Sequence, residues 1–116
     1  MSLRAALILA SLLMASSTSP TSAQRVAIGE GIKSCGTWTK ERQVKSQASH
    51  MFATWVLGYA SGANWRAYPD PDFLAEPDAE GILAWVDNYC RAHPIDTIGK
   101  ASEELIYFLE RRAGKR

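Results

Sequence analysis

Apolar residues recur at the spacing of an α-helix along three stretches of the chain, and these stretches define the predicted fold. The first stretch predicts a helix over about residues 46–64, because apolar side chains fall on one face and polar ones such as His50 fall on the opposite face. Trp55 is therefore expected in the core. The predicted apolar face consists of Ala48, Met51, Phe52, Trp55, Val56, Tyr59, Ala60 and Ala63.

The second stretch has clearer ends than the first. It predicts a helix over about residues 79–92, with Asp78 as the N-cap and Pro94 as the residue that stops it. Trp85 and Cys90 lie on its apolar face and are expected to be buried.

The third stretch predicts a helix over about residues 97–112, which begins at Asp96 or Thr97. Between the first two helices, a loop rich in proline and acidic residues runs over residues 65–77, and strand patterns are nearly absent. The sequence therefore predicts an all-α, small single-domain fold of three main helices.

The N-terminal residues 1–23 have the three parts of a secretory signal peptide. Arg4 supplies the positive charge, residues 5–15 are apolar, and small residues up to Ala23 form a cleavage site. An apolar stretch of this length is too short to span a membrane. We therefore expect export to the periplasm, with secretion as the alternative, and no membrane span in the mature chain.

Export changes what the two cysteines mean. Thiols in an oxidising compartment form disulfides, and Cys35 and Cys90 are the only two cysteines in the chain. A Cys35–Cys90 disulfide is therefore expected. The mature chain then divides into a flexible lead-in over residues 24–34, a helical domain over residues 35–112 and a basic tail over residues 113–116.

The charge balance argues against nucleic acid as a partner. The chain has 13 Lys and Arg and 12 Asp and Glu, and removal of Arg4 with the leader makes the two numbers equal. The Lys and Arg residues form no stripe, whereas nucleic-acid-binding domains carry a clustered positive surface.

Motifs that carry chemistry are absent from the sequence. It has no glycine-rich phosphate loop, zinc-binding helix or nucleophile elbow, and neither His50 nor His93 has a partner at metal-ligand spacing. The acidic loop fails the calcium pattern, because Leu74 and Ala75 stand where an oxygen ligand and a glycine are needed. We expect no enzyme activity, cofactor or metal.

A protein-binding surface is the remaining candidate. Trp38 and Trp65 lie in less regular segments, where they either cover the ends of the core or supply an aromatic contact surface. Gly58 and Gly62 indicate either close approach of another helix, fraying of the helix end or a partner groove. The candidate partner-binding residues are Trp38, Met51, Phe52, Gly58, Gly62 and Trp65.

The order of elements resembles the HdeA/HdeB family of periplasmic acid-stress chaperones. The resemblance rests on Ser34-Cys35-Gly36-Thr37-Trp38, on the aromatic helix 52–59, and on Asn88-Tyr89-Cys90-Arg91-Ala92-His93-Pro94. It implies a helical domain with one disulfide that holds unfolded client proteins in acid, and it allows a homodimer. The basic C-terminal tail departs from the family pattern.

The second and third helices are also similar to periplasmic immunity proteins that neutralise type VI secretion effectors. That family implies a toxin as the protein partner, but its expected cysteine near the end of the last helix is missing here. An envelope-associated helper with another partner is the third alternative.

Overall fold

The computed structural model describes residues 26–114, so the predicted signal peptide and the last two residues of the basic tail lie outside the described residues. In the described part of the chain, four α-helices follow a short 3-10 helix, and no β-strand is present. The 3-10 helix spans Gly29–Ile32, and helices α1 to α4 span Cys35–Val44, Gln47–Arg66, Ala79–Ala92 and Ile98–Arg112. The predicted all-α class is confirmed, with one helix more than expected.

The three predicted helices correspond to α2, α3 and α4, and local capping explains why they were predictable. Ser46, Asp78 and Thr97 each precede a helix, and each side chain accepts a hydrogen bond from the backbone N–H three residues later. This contact satisfies one of the free donors at a helix N-terminus. Thr97, rather than Asp96, is therefore the cap of α4.

Helix α1 was not predicted. Its cap is regular, because the Ser34 hydroxyl accepts from the Thr37 N–H at 3.1 Å. However, only Cys35 and Trp38 of its ten residues are buried, so the helix shows almost no apolar period. Gly36 and the threonines also have low helix propensity. Packing against α3 stabilises α1 more than its own sequence does.

The segment predicted as a flexible lead-in contains the 3-10 helix, which packs against α2 and α4. The Trp55 Nε1 donates a hydrogen bond to the Ile28 carbonyl at 2.8 Å. Gly31 lies directly against the Trp55 ring, and a Cβ atom at this position would overlap the ring. This part of the lead-in therefore has a defined position on the domain, which corrects the prediction.

The core lies between the four helices. Trp38 is fully buried, whereas Trp55 and Trp85 are only partly buried and pack against the edge of the core. The expectation that Trp55 and Trp85 are core residues was therefore only partly correct, because α1 fills the centre with Trp38. The fully buried large side chains are Trp38, Ile98, Leu105, Val56 and Val86.

The N-terminal end of α1 is attached to the end of α3 and to the loop that follows it. The predicted Cys35–Cys90 disulfide is confirmed, and both cysteines are buried. The Cys35 N–H donates to the Asp96 carbonyl at 2.7 Å, and the Gly36 N–H donates to the Pro94 carbonyl at 2.9 Å. One covalent bond and two backbone hydrogen bonds therefore fix this end of α1.

Candidate functional site

Two of the six candidate partner-binding residues are buried. Trp38 is 0% exposed and Phe52 is 4% exposed, and their rings stack with centroids 6.4 Å apart. Helix α1, which was not predicted from the sequence, carries Trp38 and places its ring against Phe52. The packing of α1 on the domain buries both rings. These two residues are therefore not part of a surface in the folded protein, which corrects the prediction for them.

The other four candidates lie together on the outer side of α2, and we name Met51, Gly58, Gly62 and Trp65 the α2 face. Met51 is 53% exposed and Trp65 is 82% exposed. A Cβ atom at Gly58 or Gly62 would meet no atom within 4 Å. The glycines therefore mark open surface rather than the close approach of another helix of this chain.

The α2 face is uncharged. From Gln47 to Trp65 the helix contains no Asp, Glu, Lys or Arg, and the first charged residue is Arg66 at its end. A helix on the surface of a globular protein ordinarily carries charged side chains on its outer side. An outer side built from methionine, tryptophan and small residues instead is typical of the centre of a protein–protein interface.

A second feature joins α1 to α3, and we name Trp38, Arg42 and Asp87 the Asp87 cluster. One oxygen of the Asp87 carboxylate accepts from Trp38 Nε1 at 2.8 Å and from Arg42 Nε at 2.9 Å. The other oxygen accepts from an Arg42 terminal nitrogen at 2.8 Å. The Arg42 guanidinium also lies 5.6 Å from the centre of the Trp38 ring. This cluster holds α1 against α3 further along the same side of α1 that carries Cys35.

The surroundings of Asp87 favour its charged form. Partial burial acts to raise the pKa of Asp87, but the hydrogen bonds from Arg42 and Trp38 and the charges of Arg42 and Arg91 outweigh it. The pKa of this carboxyl is therefore held below its usual range. Asp87 also lines an open groove of about 520 Å³ between α1, α2 and α3, so solvent protons can reach it.

A third feature is an apolar groove of about 250 Å³ between α3 and α4, which we name the α3–α4 groove. Trp85 and Phe108 form part of its wall, with ring centroids 5.7 Å apart. At its edge, Arg112 lies 3.5 Å from the Glu76 carboxylate. Sequence analysis missed this groove, because a helical period identifies an apolar face without showing which part of it a neighbouring helix leaves uncovered.

Neither histidine belongs to a metal site in the described part of the chain. His50 is exposed on α2, and His93 ends α3, where its backbone N–H and ring Nδ1 both contact the Tyr89 carbonyl. No group of three or more His, Cys, Asp and Glu residues suited to a metal ion occurs within residues 26–114. Over the same residues, no helix has the length and apolar character needed to cross a membrane.

Comparisons of the chain with protein-family models, with curated proteins and with solved structures give no match.

Proposed function

We propose that this protein is a non-enzymatic binding protein of the periplasm that opens in acid and holds unfolded client proteins. The observation that supports the proposal is the Asp87 cluster. It attaches α1 through a carboxylate that protons can neutralise, whereas the N-terminal end of α1 is held by a disulfide and two backbone hydrogen bonds, none of which depends on a carboxylate.

Acid weakens the cluster for a defined reason. The pKa of Asp87 is lower in the folded protein than in the unfolded chain, so its stabilising effect is complete above about pH 5 and is lost as the pH falls below about 4. A protonated carboxyl has lost its negative charge and carries a hydrogen on one oxygen, so it no longer accepts charge-assisted hydrogen bonds from Arg42 through both oxygens. Arg42 then keeps its positive charge without a negative partner.

The net charge adds to this effect. The chain without its leader has 12 Asp and Glu, and most of these side chains are protonated at about pH 2–3, whereas Lys, Arg and His stay positive. The resulting repulsion acts against a small domain, whose total stability is about 5–14 kcal/mol. Opening is therefore expected first where an attachment depends on a carboxylate, which is the part of α1 around Arg42, away from the disulfide at Cys35.

Release of this part of α1 exposes apolar surface. Trp38 on α1 packs against Phe52 on α2, and both are buried in the folded protein. Aromatic side chains of this size bury a large apolar area each and contribute strongly to the energy of protein interfaces. The Cys35–Cys90 disulfide keeps α1 tethered to α3, so the opened chain stays compact and closes again on neutralisation.

The experiment is the aggregation of an acid-sensitive client protein, followed by light scattering as the pH is stepped from 5 to 2. We expect the protein to suppress scattering below about pH 4. Asp87→Asn should move the onset to a higher pH, because it weakens the cluster without acid. Glu76→Gln is the matched control, since its carboxylate also contacts an arginine but is 79% exposed. Unchanged client aggregation at stoichiometric excess would refute the chaperone function.

The α3–α4 groove favours a second candidate function, an immunity-type protein that binds one toxin at neutral pH. The groove is present in the folded protein and needs no opening, and Phe108 at its wall is 36% exposed. A pull-down from envelope extract at pH 7 tests this function. Specific capture of a single toxin that is abolished by Phe108→Glu would support it, and capture unaffected by this variant would contradict a role for the groove.

A further inference from the structure

The groove beside Asp87, between α1, α2 and α3, is lined mostly by polar and charged side chains, and we name it the Asp87 groove. Its volume of about 520 Å³ lies within the ~300–1,000 Å³ that small-molecule sites occupy. Ala53 and Leu83 are the only apolar residues in its lining, so the groove suits a polar ligand. The charged and titratable residues of the lining are Arg42, Lys45, His50, Glu80, Asp87 and Arg91.

The charge of the Asp87 groove rises as the pH falls. At pH 7 the three Lys and Arg side chains of the lining face the carboxylates of Glu80 and Asp87, so the formal net charge is +1 with neutral histidine. At about pH 2–3 carboxylates are protonated, whereas lysine, arginine and histidine are positive, which leaves +4. The neighbouring Glu41 accepts a hydrogen bond from the Ser46 hydroxyl and does not line the groove. In acid, therefore, four positive groups from α1, α2 and α3 have no negative partner in the lining.

Lys45 is held in a backbone conformation that lysine rarely adopts. It is the C-cap residue of α1, with a φ of 50° and a ψ of 42°, which is the left-handed region. Glycine is the usual residue at such a helix end, because a Cβ atom is unfavourable there. Lys45 forms no ion pair with another described residue. The backbone alone favours glycine at this position, and the lysine instead contributes an ammonium group to the Asp87 groove.

We propose that the Asp87 groove binds a phosphate-bearing ligand in acid. Arginine and lysine are the side chains with which proteins ordinarily hold phosphate groups. The pH range selects phosphate over carboxylate, because a carboxylate ligand is protonated where the groove is most positive. A phosphate group takes up one proton at about pH 6 and loses its remaining charge only in much stronger acid, so it stays an anion over this range.

Binding at this site opposes the opening of α1. The ligand supplies the negative charge that the groove loses when Asp87 is protonated, and it does so beside Arg42 and Lys45 on α1 and His50 on α2. A ligand that binds the closed state in preference to the open one stabilises the closed state by mass action. Opening therefore moves to a lower pH when the ligand is present. This effect rests on the proposed function, whereas the binding site itself does not.

Binding is measured by NMR titration of the isotope-labelled protein with pyrophosphate at about pH 4.5, above the range in which opening is expected. We expect saturable shifts of the backbone amides of residues 39–50, which sodium chloride at the same ionic strength does not reproduce. Lys45→Gly should weaken the affinity about tenfold, which is the loss expected when a hydrogen bond to a charged group is removed. His50→Gln should also weaken it, because His50 lies just beyond the turn that joins Lys45 to α2.

Two controls separate a binding role from a structural one. Lys45→Gly places the residue that the left-handed conformation favours, so the Tm at pH 7 should not fall, and weaker binding is then not a result of unfolding. Lys40→Gln removes the same charge from an exposed residue of α1 that does not line the groove, and it should leave the affinity unchanged. Equal weakening in Lys40→Gln and Lys45→Gly, or shifts that do not saturate, would overturn the inference.

An acid titration followed by circular dichroism tests the effect on opening. Pyrophosphate should move the midpoint of opening to a lower pH in the wild type and much less in Lys45→Gly, whereas citrate should move it little in either. The comparison between variants removes the general stabilisation that excluded anions give to any folded protein. Equal shifts in the two proteins would contradict the proposal. If the wild type does not open in acid, the chaperone function fails, and the NMR titration still decides whether the site exists.

The phosphate can belong to a soluble compound or to a lipid headgroup, and pelleting with vesicles distinguishes these sources. Vesicles of phosphatidylglycerol carry an exposed phosphate, and the protein is incubated with them at about pH 4.5. Pelleting that pyrophosphate competes away and that Lys45→Gly weakens identifies the headgroup as the source. Binding of pyrophosphate without pelleting identifies a soluble phosphate compound. Pelleting that is equal in the wild type and in Lys45→Gly would count against the Asp87 groove.

Discussion

The substitution Asp87→Asn isolates the carboxylate that holds α1 on α3. Asparagine keeps the shape of the side chain, and its carbonyl oxygen can still accept from the Trp38 N–H. Its amide group, however, points N–H donors at the Arg42 guanidinium, which is itself only a donor. The hydrogen bond from the Arg42 terminal nitrogen at 2.8 Å is therefore lost, and the one from Arg42 Nε at 2.9 Å loses its negatively charged acceptor.

The size of the effect follows from the burial of the pair. The Arg42 and Asp87 side chains are 30% and 27% exposed, so they are less solvated than an ordinary surface ion pair. Hydrogen bonds to charged groups contribute about 1.5–3 kcal/mol, and exposed pairs contribute about 0–1 kcal/mol. We expect the free energy of unfolding to fall by about 2 kcal/mol at pH 7. For a domain of this size, that corresponds to a decrease in Tm of about 10 °C.

Urea denaturation followed by circular dichroism at several pH values measures this loss. The difference between the wild type and Asp87→Asn should be full at pH 7 and should shrink towards zero below about pH 3. The reason is that the wild-type carboxyl takes up a proton as the pH falls through its lowered pKa. Glu76→Gln should change the stability by no more than about 0.5 kcal/mol at any pH. Equal losses in the two variants, or a difference for Asp87→Asn that persists in acid, would refute the role assigned to the cluster.

Three further predictions concern the fold, and urea denaturation measures each. Gly31→Ala should destabilise the domain by about 1–3 kcal/mol, because the new methyl group overlaps the Trp55 ring. Gly58→Ala places its methyl group in open space on a helix and should stabilise the domain by about 1 kcal/mol. Equal effects of the two substitutions would contradict the packing of the 3-10 helix. The double variant Cys35→Ser/Cys90→Ser should lose about 4 kcal/mol of unfolding free energy, since the disulfide closes a loop over a sequence separation of 55. The variant should also fail to refold after acid treatment, and full refolding would contradict the tethering role of the disulfide. Trp38→Ala should cost about 3–5 kcal/mol, and a cost below 1 kcal/mol would show that α1 does not complete the core.

Helix ends were predictable from sequence because their signals are local. The predicted limits of α3, residues 79–92, coincide with the observed ones, since Asp78 caps the helix and Pro94 follows its end. The N-terminal end of α4 was predicted for the same reason, and the disulfide followed from the number of cysteines. Each of these features depends on a few neighbouring residues or, for the disulfide, on the number of cysteines in the chain.

Features that depend on contacts between distant segments were not predictable. Nothing in the local sequence indicates that α1 brings Arg42 against Asp87. In α2 the apolar arc is too broad to show which half is covered. The structure buries Ser49 and Phe52 and leaves Met51 exposed, because α1 covers one edge of this arc. Of the predicted apolar face, only Met51 therefore became part of the α2 face.

The placement of the four tryptophans gives the protein a natural set of optical reporters. Trp38 lies in the Asp87 cluster, Trp55 under the 3-10 helix, Trp65 on the α2 face and Trp85 at the α3–α4 groove. Indole emission moves to longer wavelength on contact with water. Variants that keep a single tryptophan can therefore distinguish the release of α1 from the covering of the α2 face by a partner, because the first reddens the emission of Trp38 and the second shifts that of Trp65 to the blue.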